Sequence, residues 1–197
     1  FRLYSVEEVE LSDTLERIGS YAFADTGAIE EIVLPSSVEE LASCAFFDSR
    51  IQKFVFDSNV WPTIGSSAFF ESKIKQVIFP ANATGTLNGK TFYNCTSLAS
   101  VQNWSNIQDL NRDSDFKFTP AYAYMVEGSG GDSDGNFIYM PDDAGTGWAV
   151  VQCILNDTET IEIPAYFQGK PVTTVGRGEN AGDIAGSVGP ELVTDVL

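Results

Sequence analysis

A small residue followed by phenylalanine recurs at Ala22-Phe23, Ala45-Phe46, Ala68-Phe69 and Thr91-Phe92, each phenylalanine 23 positions after the one before it. Ile18, Leu41, Ile64 and Leu87, five places upstream, keep the same spacing, so two apolar columns share one period. A fixed period in the twenties marks a solenoid, in which each repeat is one turn of the chain and cannot bury its apolar face alone. Stacking neighbours against one another is how such units make a core. The periodic stretch runs over residues 18–110.

Within the coil that begins at Ile18, apolar residues fall at Ile29, Ile32 and Leu34, the last two spaced as on one face of a strand. Pro35 closes that strand because it lacks the amide a ladder would need. Equivalent strands are expected at residues 9–11, 54–56, 77–79 and 101–103, stacked about 4.8 Å apart in a parallel sheet. Residues 18–28 are too short and too punctuated by glycine for a long helix. They read as a tight turn that packs Phe23 inward. One buried phenylalanine contributes about 1.5–3 kcal/mol, and four in register form a spine. Residues 6–11 superpose on 29–34 with an offset of 23. The array is therefore expected to start mid-coil, with an edge that needs capping.

The combination of Ile18, Gly19, Ala22, Phe23, Ile29, Ile32, Leu34, Pro35, Ser37 and Val38 resembles the BspA-type leucine-rich repeat. The likeness covers about residues 3–110 and includes Asn94, Cys95, Thr96, Ser97 and Leu98, which look like the family's segment after the phenylalanine. Departures are Asp57 and the Gln102-Asn103 pair, where a proline would follow the strand, and Lys90-Thr91 in place of the usual small dipeptide. The resemblance implies a leucine-rich-repeat-like solenoid with a parallel β-sheet and short turns. It also implies a secreted or cell-surface protein of the kind found in gut and oral bacteria or some parasitic protists, engaged in adhesion or host-protein binding.

On the strands, the residues between inward ones point to the open face of the sheet: Glu8 and Glu10, Glu31 and Val33, Lys53 and Val55, Gln76 and Ile78, Ser100 and Gln102. Val33, Val55 and Ile78 make one apolar column, which reads either as an interaction stripe or as cross-strand packing on a half-exposed sheet. Because the extended face of a solenoid is its usual binding surface, the candidate binding residues are Glu31, Val33, Lys53, Val55, Gln76 and Ile78. Phe47 and Phe70 follow the spine residues and read as lateral packing partners or as a ligand-facing pair. The Trp61-Pro62 pair is expected to cover the core edge.

The period fails after Leu110 in a polar run, Asn111 to Asp115, which places a boundary near residue 112, with Phe116 as a vestigial spine residue in a capping coil. Three segments follow: the solenoid at 1–112, a small mainly β unit at 113–176, and a glycine-rich loop with the start of a further repeat at 177–197. The second is expected to be antiparallel, built from short aromatic strands at 121–126, 137–140, 148–154 and 160–163. Its turn at 128–136 lacks the residue order and the late glutamate of a calcium loop. Residues 161–176 resemble the lead-in to a fresh repeat array.

Lysine and arginine total 11 against 28 aspartates and glutamates, a formal charge of −17. That balance disfavours nucleic acid and anionic membranes as partners and reads as solubility, or as attraction for cations and basic proteins. Cys44, Cys95 and Cys153 are an odd count without a paired spacing and are expected to be free, mostly buried thiols. There is no histidine, so the commonest general base and metal ligand is missing. No nucleophile constellation, phosphate loop, apolar span or secretion leader is legible, and any signal or anchor is expected outside these residues. Four Asn-x-Ser/Thr matches, at Asn82, Asn94, Asn103 and Asn156, read as incidental. The expectation is a non-catalytic protein-binding module that needs no cofactor or metal. A spacer in a larger surface protein, and carbohydrate recognition by Tyr122, Tyr124, Tyr139 or Trp148, are the alternatives. Oligomeric state is left open.

Overall fold

The computed structural model describes residues 8–56, 59–125, 130–134, 136–153 and 161–176. Short strands and turns wind into successive parallel coils. One wall is a four-stranded parallel sheet of β2 (Ala28–Leu34), β4 (Arg50–Phe56), β6 (Gln76–Ile78) and β7 (Ser100–Gln102), hydrogen-bonded in that order. A second parallel ladder joins β1 (Arg17–Ile18), β3 (Glu40–Leu41) and β5 (Thr63–Ile64), and contains three of the four upstream column residues. Ile18, Leu41 and Ile64 are buried there.

The phenylalanines lie between these walls as an axial stack. Phe23–Phe46, Phe46–Phe69, Phe69–Phe92 and Phe92–Phe116 have ring centroids 5.0, 4.9, 4.8 and 5.1 Å apart, all near parallel. Phe46, Phe69, Phe92 and Phe116 are fully buried, whereas Phe23, the first rung, is half-buried. Phe116 thus continues the column one rung past the last regular repeat. From the sheet side, Phe54 packs edge-on against both Phe46 and Phe69, at 5.1 and 4.9 Å, a geometry that the ring quadrupole favours over a face-to-face sandwich.

The spine sits on tight turns rather than helix, as the glycine punctuation implies. Two residues per coil take left-handed backbone: Tyr21, Cys44, Ser67 and Lys90 before the spine ring, and Asp25, Asp48, Glu71 and Asn94 after it. Amides of one turn bond carbonyls of the next, as in Phe46 N–H to Ala68 O at 2.7 Å and Asp48 N–H to Phe70 O at 2.9 Å. A buried polar column follows each turn: Thr26, Ser49, Ser72, Cys95 and Thr119. Thr26 and Thr119 donate to the spine carbonyl three residues back, Phe23 O and Phe116 O. Cys95 donates its thiol proton to Phe69 O at 2.8 Å.

The sheet does not end on an open edge at β7. The buried Tyr124 hydroxyl accepts from Val101 N–H at 2.9 Å and donates to Ala99 O at 2.8 Å, supplying from a side chain what a further strand would supply from its backbone. Unpaired strand edges otherwise template association with other chains. Beyond the solenoid, β8 (Asp132–Ser133), β9 (Phe137–Pro141), β10 (Trp148–Cys153), β11 (Tyr166–Phe167) and β12 (Lys170–Val175) form a sheet ordered β11-β12-β10-β9-β8.

Several expectations are corrected. This C-terminal sheet is mixed, because β10 runs parallel to β12 while the other pairs are antiparallel. Residues 121–123 lie in a short 3-10 helix, Pro120–Ala123, which Thr119 caps by accepting from Tyr122 N–H. Residues 161–163 are not a strand, and neither are 9–11, although Val9 and Leu11 pack on the core. Asn103 leaves β7 in the left-handed region and opens a 3-10 turn, Trp104–Asn106. Among the thiols Cys95 is buried, but Cys44 and Cys153 are only half-buried. The expectations for residues 1–7, 57–58, 126–129, 135, 154–160 and 177–197 fall outside the described residues.

Candidate functional site

Strand register decides which side chains share the open sheet face. Glu31 pairs with Lys53 and Lys53 with Gln76; Val33 pairs with Val55 and Val55 with Ile78. The six predicted residues are therefore brought together as two columns on neighbouring strands. Inward neighbours Ile32, Phe54 and Val77 are fully buried, while Val33 is 42% exposed and Val55 and Ile78 are half-exposed. Lys53 Nζ lies 2.6 Å from Glu31 Oε1 with both side chains well exposed, so the pair contributes on the order of 0.5 kcal/mol and fixes orientation more than stability.

The columns differ at their two ends. Gln102, beyond Ile78, remains exposed, but Ser100 is buried, contrary to its expected outward exposure, and accepts from Gln76 Nε2 at 3.3 Å. At the N-terminal end the face opens into a groove of about 980 Å³ lined by Glu8, Val9, Glu10, Leu11, Glu30, Glu31, Val33, Pro35, Gln52 and Lys53. Four glutamates against one lysine make that end acidic. Sequence reasoning named the face but not this groove, since it requires residues 8–11 to lie beside β2 without pairing to it as a strand.

Phe47 and Phe70 do pack on each other, with centroids 5.8 Å apart and planes 4° apart. They belong to a longer file on the turn edge: Phe70 stacks on Tyr93 at 5.5 Å, and Tyr93 meets Phe118 edge-on at 5.3 Å. Trp61 stacks on Phe79 at 5.0 Å and leans against Gly85, where any Cβ would overlap the indole.

The aromatic residues weighed for carbohydrate binding are mostly structural. Tyr124, Tyr139 and Trp148 are buried. Tyr139 stacks on Phe167 at 3.9 Å and donates to Asp134 at 2.6 Å. Tyr122 is covered on one face by the Arg112 guanidinium, 4.0 Å from its centroid. Burial leaves Tyr124, Tyr139 and Trp148 without the open ring face that sugars stack on. Among the described residues no group of histidine, cysteine and carboxylate side chains is arranged to hold a metal ion, and no helix is long and apolar enough to cross a membrane.

These features define a class, the parallel-coil repeat protein with an open sheet face. The chain belongs to the BspA type leucine rich repeat region family, whose model matches residues 1–119 in six copies. Such repeats are often protein-binding, generally non-catalytic and typically surface-associated. No curated protein and no solved structure matches the chain.

Proposed function

We propose that the chain is a non-catalytic recognition module of a secreted or cell-surface protein, and that it binds an extracellular protein, of a host in the adhesive case, through the open sheet. The observation that carries this reading is the in-register column Val33, Val55 and Ile78, exposed at Val33 and half-buried at the other two, beside the Glu31–Lys53 pair, while the inward neighbours Ile32, Phe54 and Val77 are fully buried. An extended surface with an apolar strip and a polar rim has the anatomy of a protein interface. Solenoid faces of this kind gain area by adding repeats rather than by deepening a pocket.

The test is capture from extracellular matrix or mucus by the full chain, compared with a Val55→Lys plus Ile78→Lys variant whose fold is checked by circular dichroism. Two lysines set on adjacent strands of this strip are expected to abolish capture. Capture that survives them would overturn the use of this face, and an absence of capture by the unaltered chain would favour the spacer role.

A further inference from the structure

Resting on the sheet face as the binding surface, we propose that its N-terminal groove selects the kind of protein bound there. The occupant is an extended segment with lysine or arginine at one end and alternate aliphatic residues along the rest. The groove is lined by apolar Val9, Leu11, Val33 and Pro35 as well as by carboxylates. Glu8, Glu10 and Glu30 are exposed and, among the described residues, make no ion pair, whereas Glu31 is answered by Lys53. Three uncompensated carboxylates therefore stand beside apolar surface that a partner would cover.

The sign of the exposed charge changes along the solenoid. Ile29 pairs with Ile51 and Glu31 with Lys53, which sets Glu30 beside Gln52. Lys75 N–H donates to Gln52 O at 2.8 Å, and Lys75 is exposed on the coil that follows. The face is thus acidic at residues 8–11 and at Glu30 and Glu31, and carries Lys53 and then Lys75 on the next two coils. A basic residue is drawn to one end and repelled at the other, so the partner lies in one direction along Val33, Val55 and Ile78.

Apolar contact and charge select the same occupant. Covering Val33 takes water from the neighbouring carboxylates, and a charge removed from water without a partner is costly. A neutral or acidic segment leaves them unanswered, whereas an ammonium or guanidinium supplies the missing partner. Rejecting wrong partners in this way is what interfacial charge chiefly provides. The strip spans about 9.6 Å from Val33 to Ile78, so alternate side chains of an extended segment, about 6.6–6.8 Å apart, lie along it with the basic end over the groove. The formal charge of −17 assists encounter but does not choose the surface.

The experiment titrates the full chain against a fluorescein-labelled peptide, Lys-Ser-Lys-Ser-Val-Ser-Val-Ser-Val, and its twin with glutamate in place of both lysines, by polarisation at 0.15 M salt. Three double variants carry the test: Glu10→Gln plus Glu30→Gln in the groove, Val55→Lys plus Ile78→Lys on the strip, and Asp109→Asn plus Asp143→Asn, two exposed carboxylates that do not line the groove. Circular dichroism confirms that each is folded. The groove variant is expected to weaken binding of the basic peptide about fivefold, the control pair less than about twofold, and the strip variant more than about tenfold, with the acidic twin at least about tenfold weaker on the unaltered chain. Equal losses in the groove and control variants would reduce the effect to net charge and overturn the proposal. Equal binding of the two peptides, lost only in the strip variant, would overturn it while leaving the sheet-face reading in place. A strip variant that binds like the unaltered chain would overturn both, and no binding of the basic peptide by the unaltered chain would overturn the proposal alone.

Discussion

Truncating Phe69 to alanine removes the central rung of the stack. The ring is fully buried, 4.9 Å from Phe46, 4.8 Å from Phe92 and 4.9 Å from the edge-on Phe54, so three aromatic contacts vanish together. Loss of a buried phenylalanine costs about 3–5 kcal/mol, transfer and residual cavity combined. Each aromatic pair adds about 0.5–1.5 kcal/mol beyond its area, which places Phe69 in the upper half of that range. The hydrogen-bonded turns on either side, Phe46 N–H to Ala68 O and Phe69 N–H to Thr91 O, restrain the coils from closing over the void. For a chain of this length about 4 kcal/mol corresponds to a fall in Tm of about 8–16 °C. Phe23 is the internal control: half-buried, with one stacked neighbour, its alanine variant is expected to cost about 1–2 kcal/mol. Urea titration of the two variants, followed by far-ultraviolet circular dichroism, measures both. Equal costs, or a Phe69→Ala cost below about 2 kcal/mol, would refute the claim that the column is the axle of the fold.

Cys95 is buried, and that burial pushes its thiol up to about 12, so it is expected to resist a maleimide at pH 7 in the folded chain while Cys44 and Cys153 react; labelling of Cys95 at the rate of the other two, read by mass spectrometry, would contradict this. Asp115 lies buried under the last coil, and burial raises its carboxyl above the ordinary 3.8 despite amides that favour the ionised form. A carboxyl raised in the folded state contributes stability below its unfolded pKa and loses it as pH climbs through the folded one. Asp115→Asn is therefore expected to gain stability relative to the natural chain between pH 3 and pH 7, and thermal melts showing the opposite trend would count against the assignment. Tyr124→Phe removes the hydroxyl that serves Val101 N–H and Ala99 O, and leaving those groups unpaired is expected to cost about 1–3 kcal/mol with faster hydrogen exchange at Val101; unchanged exchange there would remove the edge-capping role.

The repeat was legible because two columns at one period can be satisfied only by stacking, so Phe23, Phe46, Phe69 and Phe92 announced the spine and Val33, Val55 and Ile78 the open column. The buried column Thr26, Ser49, Ser72 and Cys95 carries the same period, with Thr119 one residue beyond it, but is not legible from hydrophobicity, because its members share size and hydrogen-bonding capacity instead. The expectation for Val9 to Leu11 failed since apolar alternation reports burial, which the segment has, and not a pairing partner, which it lacks. Ser100 was placed outward by alternation alone, although it proves buried in the last strand of the sheet. Beyond the solenoid the parallel pairing of β10 with β12 is long-range, and nothing local in either segment specifies it. The aromatic edge was half legible: Phe47 and Phe70 stood out, but Tyr93 and Phe118 join them only once the coils are superposed.

Cysteine pairs on the open face measure the coil stack most directly. In a Cys44→Ser, Cys153→Ser background, cysteines at Val33 and Val55, or at Val55 and Ile78, sit on registered neighbouring strands, about 4.8 Å apart and within disulfide reach. A pair at Val33 and Ile78 is two strands apart, about 9.6 Å, and beyond it. Under mild oxidation the account predicts rapid bridging of the two neighbouring pairs and none of the third; bridging of the third pair at a comparable rate, or of none, would contradict the parallel coils and the exposed strip together.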